Sequence, residues 1–160
     1  METPSGAVLA VDVGRVRSGT AVSDPARVVA SPLTTVPGDA GADPAGLARA
    51  VAELVAQHRV TLIVVGLPLS LSGAEGPSAA LARRVAAELC AVVDVPVRLV
   101  DERFTTTTAH DLLRATGRSE RRRRPVVDQA AAAVLLQHAL DAARSGVEVG
   151  SPVTEGVGAA

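Results

Sequence analysis

The sequence has almost no aromatic residues and no lysine. Phe104 is the one aromatic side chain among 160 residues, and all 16 basic residues are arginine. Because 48% of the residues are hydrophobic, the core must be built from Val, Leu and Ala, which is typical of a β-branched sheet covered by Ala-rich helices. The formal net charge of −1 excludes a globally basic coat for nucleic acid, so binding of that kind needs a local patch.

Cysteine, a leader segment and long apolar runs are also scarce or missing. The single cysteine, Cys90, cannot form an internal disulfide, and its apolar helical surroundings predict a buried thiol. The first six residues carry no basic region with an apolar run behind it, and no stretch reaches the roughly 18 uninterrupted apolar residues of a membrane helix. These absences predict a cytoplasmic protein without a membrane partner.

The apolar pattern predicts one α/β domain, and the length fits the roughly 100 to 200 residues of a single domain. The order of elements, β-β-β-α-β-α-β-α-α, predicts a five-stranded mixed sheet flanked by helices, in a domain spanning residues 1–144 with a disordered tail over 145–160. Apolar runs predict strands at residues 7–13, 19–22, 28–36, 61–65 and 97–100, and helical spacing predicts helices over 47–58, from 77, over 105–114 and over 127–143.

Three acidic residues stand where an unpaired charge is costly. Asp12 ends an apolar strand, where burial costs several kcal/mol unless the carboxylate is paired, protonated or bound to metal. Glu102 follows the fifth strand, and Asp128 shares a helical face with buried-type leucines. Each has an ordinary alternative: backbone hydrogen bonds for Asp12, an ion pair with Arg103 or another surface arginine for Glu102, and a favourable helix-dipole interaction for Asp128.

Together these carboxylates predict a metal site. If the first and fifth strands lie in the central part of the sheet, their ends bring Asp12 and Glu102 close to the inward helical face that carries Asp128. Ligands that are all oxygen suit Mg²⁺ or Mn²⁺ better than zinc, and two such ions about 4 Å apart can drive hydrolysis of a phosphodiester. We therefore expect Asp12, Glu102 and Asp128 to be metal ligands and catalytic residues of a nuclease.

A basic segment comes just before Asp128. Residues 103–124 contain seven arginines against Asp111 and Glu120, a net charge of +5 in a chain whose total is −1. A solvated run of charge is the ordinary interpretation, but beside the carboxylates we expect a loop that holds nucleic acid through its phosphates. With one aromatic residue, base stacking cannot be the main contact, which favours structured RNA or branched DNA. The predicted contacts are Arg103, Arg118, Arg121, Arg122, Arg123 and Arg124.

Arg17 is a further candidate for contact with nucleic acid. A guanidinium beside three carboxylates can stabilise their assembly without metal, or hold a phosphate bidentately. A merely structural ion pair is an equally good interpretation of the sequence.

Four ordered motifs resemble those of one family. Residues 12–21, Asp-Val-Gly-Arg-Val-Arg-Ser-Gly-Thr-Ala, resemble the opening motif of the YqgF/RuvX family of Holliday-junction-resolvase-like proteins, also described as pre-16S rRNA nucleases. Three later segments resemble its second, third and fourth motifs: residues 64–69 with Gly73, Glu75 and Gly76; residues 101–106; and residues 127–131 with 135–137.

The resemblance implies an RNase H-like fold, divalent metal, and an acidic site at Asp12, Glu102 and Asp128. It also implies trimming of the 5′ end of precursor 16S rRNA, with ribosomal particles as partners. Ser70 stands where the family commonly shows Asn in its second motif, which bears on the substrate contact that we assign to Ser70. Ser18 and Thr20 replace usually apolar residues of the first motif, a change that we expect to alter only packing.

Three other functions stay open. A Holliday junction resolvase would act on branched DNA and favour a homodimer, whereas end trimming can use a monomer. An RNA-binding ribosome-assembly factor would keep the fold and the arginines without cutting. An actin-like or sugar-kinase-like ATPase also begins with an Asp-x-Gly strand turn, but it needs two domains and a second phosphate loop, which this length does not favour.

Overall fold

A computed structural model describes residues 5–103 and 120–153, without the side chains of residues 120–127. The predicted helix over 105–114 and Arg118 lie outside the described residues. The described elements are the strands β1 (Ala7–Asp12), β2 (Arg17–Ser23), β3 (Ala30–Pro37), β4 (Val60–Leu67), β5 (Val97–Asp101) and β6 (Ser151–Pro152), and the helices α1 (Pro44–Gln57), α2 (Pro77–Val92) and α3 (Glu120–Arg144).

The strands form one mixed sheet in the order β3-β2-β1-β4-β5-β6. β1, β4 and β5 run parallel to one another, whereas β2, β3 and β6 run antiparallel to their neighbours. Parallel strands end at the same side of a sheet, so Asp12, Leu67 and Asp101 mark one edge, here called the carboxyl edge. The predicted α/β class is confirmed, as is the central position of β1.

The predicted strand count is one too low. β6 pairs with β5 through Arg98 and Leu99, although residues 151–152 belong to the segment predicted as a disordered tail. The Arg98 guanidinium holds this segment, with Nε 2.7 Å from the carbonyl oxygen of Val149 and Nη2 2.8 Å from that of Gly150. A two-residue strand carries no apolar alternation, so the sequence pattern gave no sign of it.

Both faces of the sheet are buried, which explains the continuous apolar runs of its central strands. Successive side chains of β1 alternate between the faces: Leu9 and Val11 pack with α1 and α2, while Val8 and Ala10 pack with α3. The prediction of a buried thiol was wrong, because Cys90 falls just outside the buried stripe of α2 and is exposed. Among the helices that the structure describes, none is long and apolar enough to cross a membrane.

Helix α3 begins two turns earlier than predicted. Its first residue is Glu120 rather than Val127, so Arg121–Arg124 lie in a helix and not in the predicted loop. Arg is a good helix former, so the run of charge that we interpreted as a loop continues the helix instead. Asp128 therefore lies inside the helix, beyond the first turn in which a carboxylate interacts with the helix dipole.

Close backbone packing brings α3 onto the sheet. A Cβ atom at Gly19 in β2 would overlap the carbonyl oxygen of Asp128, so this glycine lets the helix approach the strand. Two glutamines then fasten α3 to β3: Gln129 Nε2 donates to Thr35 Oγ1 at 3.0 Å, and Gln137 Oε1 accepts from the Ala30 N–H at 2.9 Å.

Replacing Gly19 tests this packing. We expect Gly19→Ala to lower the free energy of unfolding by about 1 to 3 kcal/mol, because the added methyl group forces α3 away from β2. Chemical denaturation followed by circular dichroism measures the change. Gly76→Ser is the control, since Gly76 is the N-cap of α2, with open space around its Cβ position, and should change stability by less than about 0.5 kcal/mol. Equal losses in the two variants would contradict the role of Gly19.

Candidate active site

Asp12 and Glu102 meet across strand β4, as the sequence predicted. Asp12 is the last residue of β1, and Glu102 extends the pairing of β5 by one bond, with its N–H donating to the Leu67 carbonyl at 3.1 Å. The two side chains share a hydrogen bond. Gly66 lies in β4 beneath the Glu102 side chain, and a Cβ atom there would overlap the Glu102 carboxyl group. The glycine therefore opens the path by which Glu102 reaches Asp12.

Burial and mutual repulsion set the ionisation of this pair. Burial raises the pKa of Glu102 to about 9, and the neighbouring Asp12 carboxylate adds to the rise. Burial also raises the pKa of Asp12, although the hydrogen bond from Glu102 works in the opposite direction. In the absence of a bound cation, the carboxyl group of Glu102 stays protonated at neutral pH and donates to the Asp12 carboxylate.

Asp128 is the third carboxylate, and it is held by Arg17. Arg17 Nε lies 2.6 Å from Asp128 Oδ2, and each side chain is about a quarter exposed. Burial raises the pKa of Asp128, whereas the hydrogen bond from Arg17 lowers it. Asp128 is close enough to Asp12 for its charge to raise the pKa of Asp12. Both interpretations of Arg17 placed it beside the carboxylates, and the structure puts it there.

The chemistry of these side chains fits a divalent cation. All the donors are carboxylate oxygens, and burial, with a smaller contribution from neighbouring carboxylates, raises the pKa of Asp12 and Glu102, so a cation bound there would compensate their charge. Within residues 5–103 and 120–153, no three acidic, histidine or cysteine side chains stand ready to hold a metal ion. The reason is visible in the contacts, because Asp12 pairs with Glu102 while Asp128 pairs with Arg17.

The predicted arginine contacts are only partly described. Arg103 pairs with Asp101, with Nη2 2.6 Å from Oδ2, so the ordinary alternative of an ion pair between Glu102 and Arg103 was wrong. Arg121–Arg124 lie on the first turns of α3, on the approach to Asp128 along the helix. Their side chains, like all of Arg118, lie outside the description.

Ser70 shapes the loop between β4 and α2. Its Oγ accepts from the Ala74 N–H at 3.1 Å and lies 2.8 Å from Ser72 Oγ, and its carbonyl accepts from the Gly73 N–H. Leu69 and Glu75 pair as an antiparallel bridge on either side of this turn. Ser70 thus has a structural role in the turn, and its contact with substrate stays a prediction.

Gly19 and Gly66 are functional residues that the sequence reasoning missed. Neither carries chemistry, but Gly19 admits the helix with Asp128, and Gly66 admits the side chain of Glu102. The available signal was a glycine within an apolar strand segment, which marks a close approach of other groups. The predicted strand over residues 61–65 ends one residue before Gly66.

The raised pKa of Glu102 predicts a pH-dependent gain in stability on its replacement. The pKa of about 9 in the folded chain exceeds the ordinary value of 4.5, so the stability that this group supplies is complete below pH 4.5 and falls as the pH rises toward 9. Glu102→Gln keeps a hydrogen-bond donor for Asp12 without ionising. We expect the free energy of unfolding of the variant to exceed that of the parent protein by about 1 to 2 kcal/mol at pH 8, and to equal it at pH 4.

Urea denaturation in EDTA at both pH values measures this difference. Glu53→Gln, on the exposed side of α1, is the matched control and should show no gain that depends on pH. If Glu102→Gln and the parent protein were equally stable at pH 8, the raised pKa of Glu102 in the folded chain would be wrong.

Comparison with known proteins agrees with the motifs and the fold. A Streptomyces coelicolor protein named "Putative pre-16S rRNA nuclease" is 48% identical over 153 residues, which cover 95% of this chain and 88% of that protein. A Kineococcus radiotolerans protein of the same name is 54% identical over 142 residues, covering 88% of this chain and 74% of that protein.

Thermus thermophilus RuvC in complex with a Holliday junction substrate has a TM-score of 0.57 at 19% identity, over 92% of this chain and 99% of the other. This likeness confirms the RNase H-like fold. The family described as "RuvX: Holliday junction resolvase" matches residues 6–142, in agreement with the four motifs. The chain therefore belongs to the RuvX family.

Proposed function

We propose that this protein is a metal-dependent nuclease that hydrolyses phosphodiester bonds at the 5′ end of precursor 16S rRNA, in the cytoplasm. The observation that carries the proposal is the hydrogen-bonded contact of Asp12 with Glu102 at the carboxyl edge, with Asp128 near them. Carboxylates that are forced together against their own repulsion are a means of binding a strongly charged cation at a reaction centre.

Asp12, Glu102 and Asp128 would hold the divalent ions, Mg²⁺ or Mn²⁺. When bound, such ions supply an activated water and neutralise the charge that develops on the phosphodiester oxygens. The chain's own contribution is to fix the carboxylates on rigid elements, two at strand ends and one on α3. Such placement is more exact than a site built on loops.

Arg17 links the acidic site to the substrate in this proposal. Its guanidinium already lies against Asp128 at the rim of the site, with a quarter of its surface open to solvent. A guanidinium there can hold two oxygens of a phosphate group of the scissile strand through two parallel hydrogen bonds. It also keeps the charge of Asp128 compensated while no cation is bound. The same residue would thus orient the substrate and maintain the site.

Precursor rRNA is the substrate we favour, because relatives up to 54% identical carry a name that specifies pre-16S rRNA. Branched DNA is the second candidate, since the family is described as a Holliday junction resolvase. The arginines of residues 103–124 suit either substrate, as they would contact phosphates rather than bases. We propose ribosomal particles as partners in the first case and a homodimer in the second.

A cleavage assay tests the proposal. Purified protein is incubated with labelled precursor 16S 5′-leader RNA and, separately, with a four-way DNA junction, in Mn²⁺, Mg²⁺ or EDTA. We expect the leader RNA to be cut only with a divalent ion, and Asp12→Asn to lower the rate by at least about a hundredfold, because a ligand to the cation is lost. Asp24→Asn is the matched control, since Asp24 is partly exposed and accepts backbone N–H bonds in the turn between β2 and β3.

Cutting of the junction but not of the RNA would move the assignment to the resolvase. Tight RNA binding without cutting in any metal would contradict the nuclease and favour a ribosome-assembly factor.

A further inference from the structure

A cleft of about 320 Å³ opens beside the acidic site but on the other face of the sheet. Arg15, from the turn between β1 and β2, lines it together with Asp39. Ala80, Leu81 and Arg84 of α2 also line the cleft. The two arginines come from separate elements and converge on one space, so the cleft is a product of the tertiary fold.

The charge of the cleft suits an anion. Among the residues that the structure describes, neither Arg15 nor Arg84 forms a salt bridge, and both are exposed. The neighbouring Arg83, by contrast, is tied to Glu75 by two hydrogen bonds of 2.6 and 2.7 Å. Asp39 is the opposing charge, and its Oδ1 accepts from the Gly41 N–H at 2.7 Å. Two guanidinium groups thus face one carboxylate that is already engaged.

The cleft lies within reach of the scissile position. Arg15 follows Asp12 by three residues, so their Cα atoms are at most about 11 Å apart. α2 begins at Pro77, after β4 has ended at the carboxyl edge, so Arg84 lies on the second turn of the helix from that edge. Asp128 and the first turns of α3 lie on the opposite face. The carboxylates therefore stand between α3 on one face of the sheet and the arginine-lined cleft on the other.

We propose that the cleft formed by Arg15 and Arg84 binds an internal phosphodiester of the substrate RNA, a few nucleotides from the bond that is cut. The strand would cross the carboxyl edge, with α3 on one side of the metal site and this cleft on the other. The inference rests on the proposed function and adds a second anchoring point for the strand. Anchors on both sides of the scissile bond fix its register and hold it in line for attack.

Equilibrium binding tests the cleft separately from catalysis. Fluorescence anisotropy of labelled 5′-leader RNA is measured with Asp12→Asn protein across a range of salt concentrations. Adding Arg15→Gln or Arg84→Gln should weaken binding by about three- to tenfold, and should lower the slope of log K against log salt by about 1, because one phosphate contact is lost. Arg59→Gln, an exposed arginine just before β4 at the opposite edge, is the matched control and should change neither quantity.

A variant that is expected to strengthen RNA binding excludes a folding defect as the explanation. Asp39→Asn removes the one negative charge of the cleft and keeps an oxygen that can accept from Gly41. We expect it to strengthen RNA binding about twofold or more, since a like charge beside the phosphate is lost. Misfolding would weaken binding in every variant.

Three results would overturn the proposal: parent affinity for RNA in both Arg15→Gln and Arg84→Gln, an equal loss in Arg59→Gln, or no measurable RNA binding by the parent. The same losses with a four-way DNA junction and none with RNA would also overturn it. These results are distinguishable from failure of the proposed function, which the cleavage assay measures. If the protein cuts RNA but binds it equally well with and without the two arginines, only the role of the cleft is wrong. If the protein binds RNA through the cleft but never cuts it, only the nuclease activity is wrong.

Discussion

Two half-buried carboxyl groups meet across a strand that has a glycine, Gly66, at the point between them, and the candidate site depends on this contact. Asp12 and Glu102 lie at the ends of β1 and β5, with β4 between them. They touch because Gly66 has no side chain, and the Glu102 carboxyl group occupies the space that a side chain would fill. Burial and the proximity of like charges raise the pKa of both groups, so the folded chain holds them in an arrangement that is unfavourable without a proton or a cation.

The third carboxylate comes from a different layer of the structure and is balanced in a different way. Asp128 belongs to α3, which reaches the sheet because Gly19 allows backbone to pack on backbone. Arg17 of β2 then compensates its charge. One half of the site is thus a pair of acids sharing a proton, and the other half is an ion pair. A divalent cation and a phosphodiester would exchange these internal partners for external ones, which explains how the fold tolerates the acidic cluster before substrate arrives.

Charge is distributed around this centre rather than over the whole chain. The net charge is −1, yet residues 103–124 carry +5, and the cleft on the α2 face presents two more arginines. The carboxyl edge therefore carries acidic groups with the two arginines of the cleft on the α2 side, and the basic segment comes directly before Asp128 in the sequence. A polyanion that crosses the edge would be attracted by the arginines and would meet the carboxylates through bound cations.

The sequence by itself determined the local features of this protein. Apolar runs predicted five strands in the right order, and helical spacing predicted α1 and α2. The placement of Asp12 and Glu102 at the ends of apolar strands, and of Asp128 on an inward helical face, marked these carboxylates as unusual. The ordered motifs indicated the family, which the match over residues 6–142 confirms. These features can be predicted from the sequence because periodicity and local composition depend on neighbouring residues.

Only the tertiary structure decided which of these groups are partners. It paired Arg17 with Asp128 across 111 positions of the chain and Arg103 with Asp101 rather than with Glu102. It also extended α3 back to Glu120 and added β6 from a segment without apolar alternation. Each outcome depends on which groups the folded chain brings within a few ångströms, and on the competition among them for charge and hydrogen bonds. Sequence spacing does not contain that information, because the competing groups lie far apart along the chain.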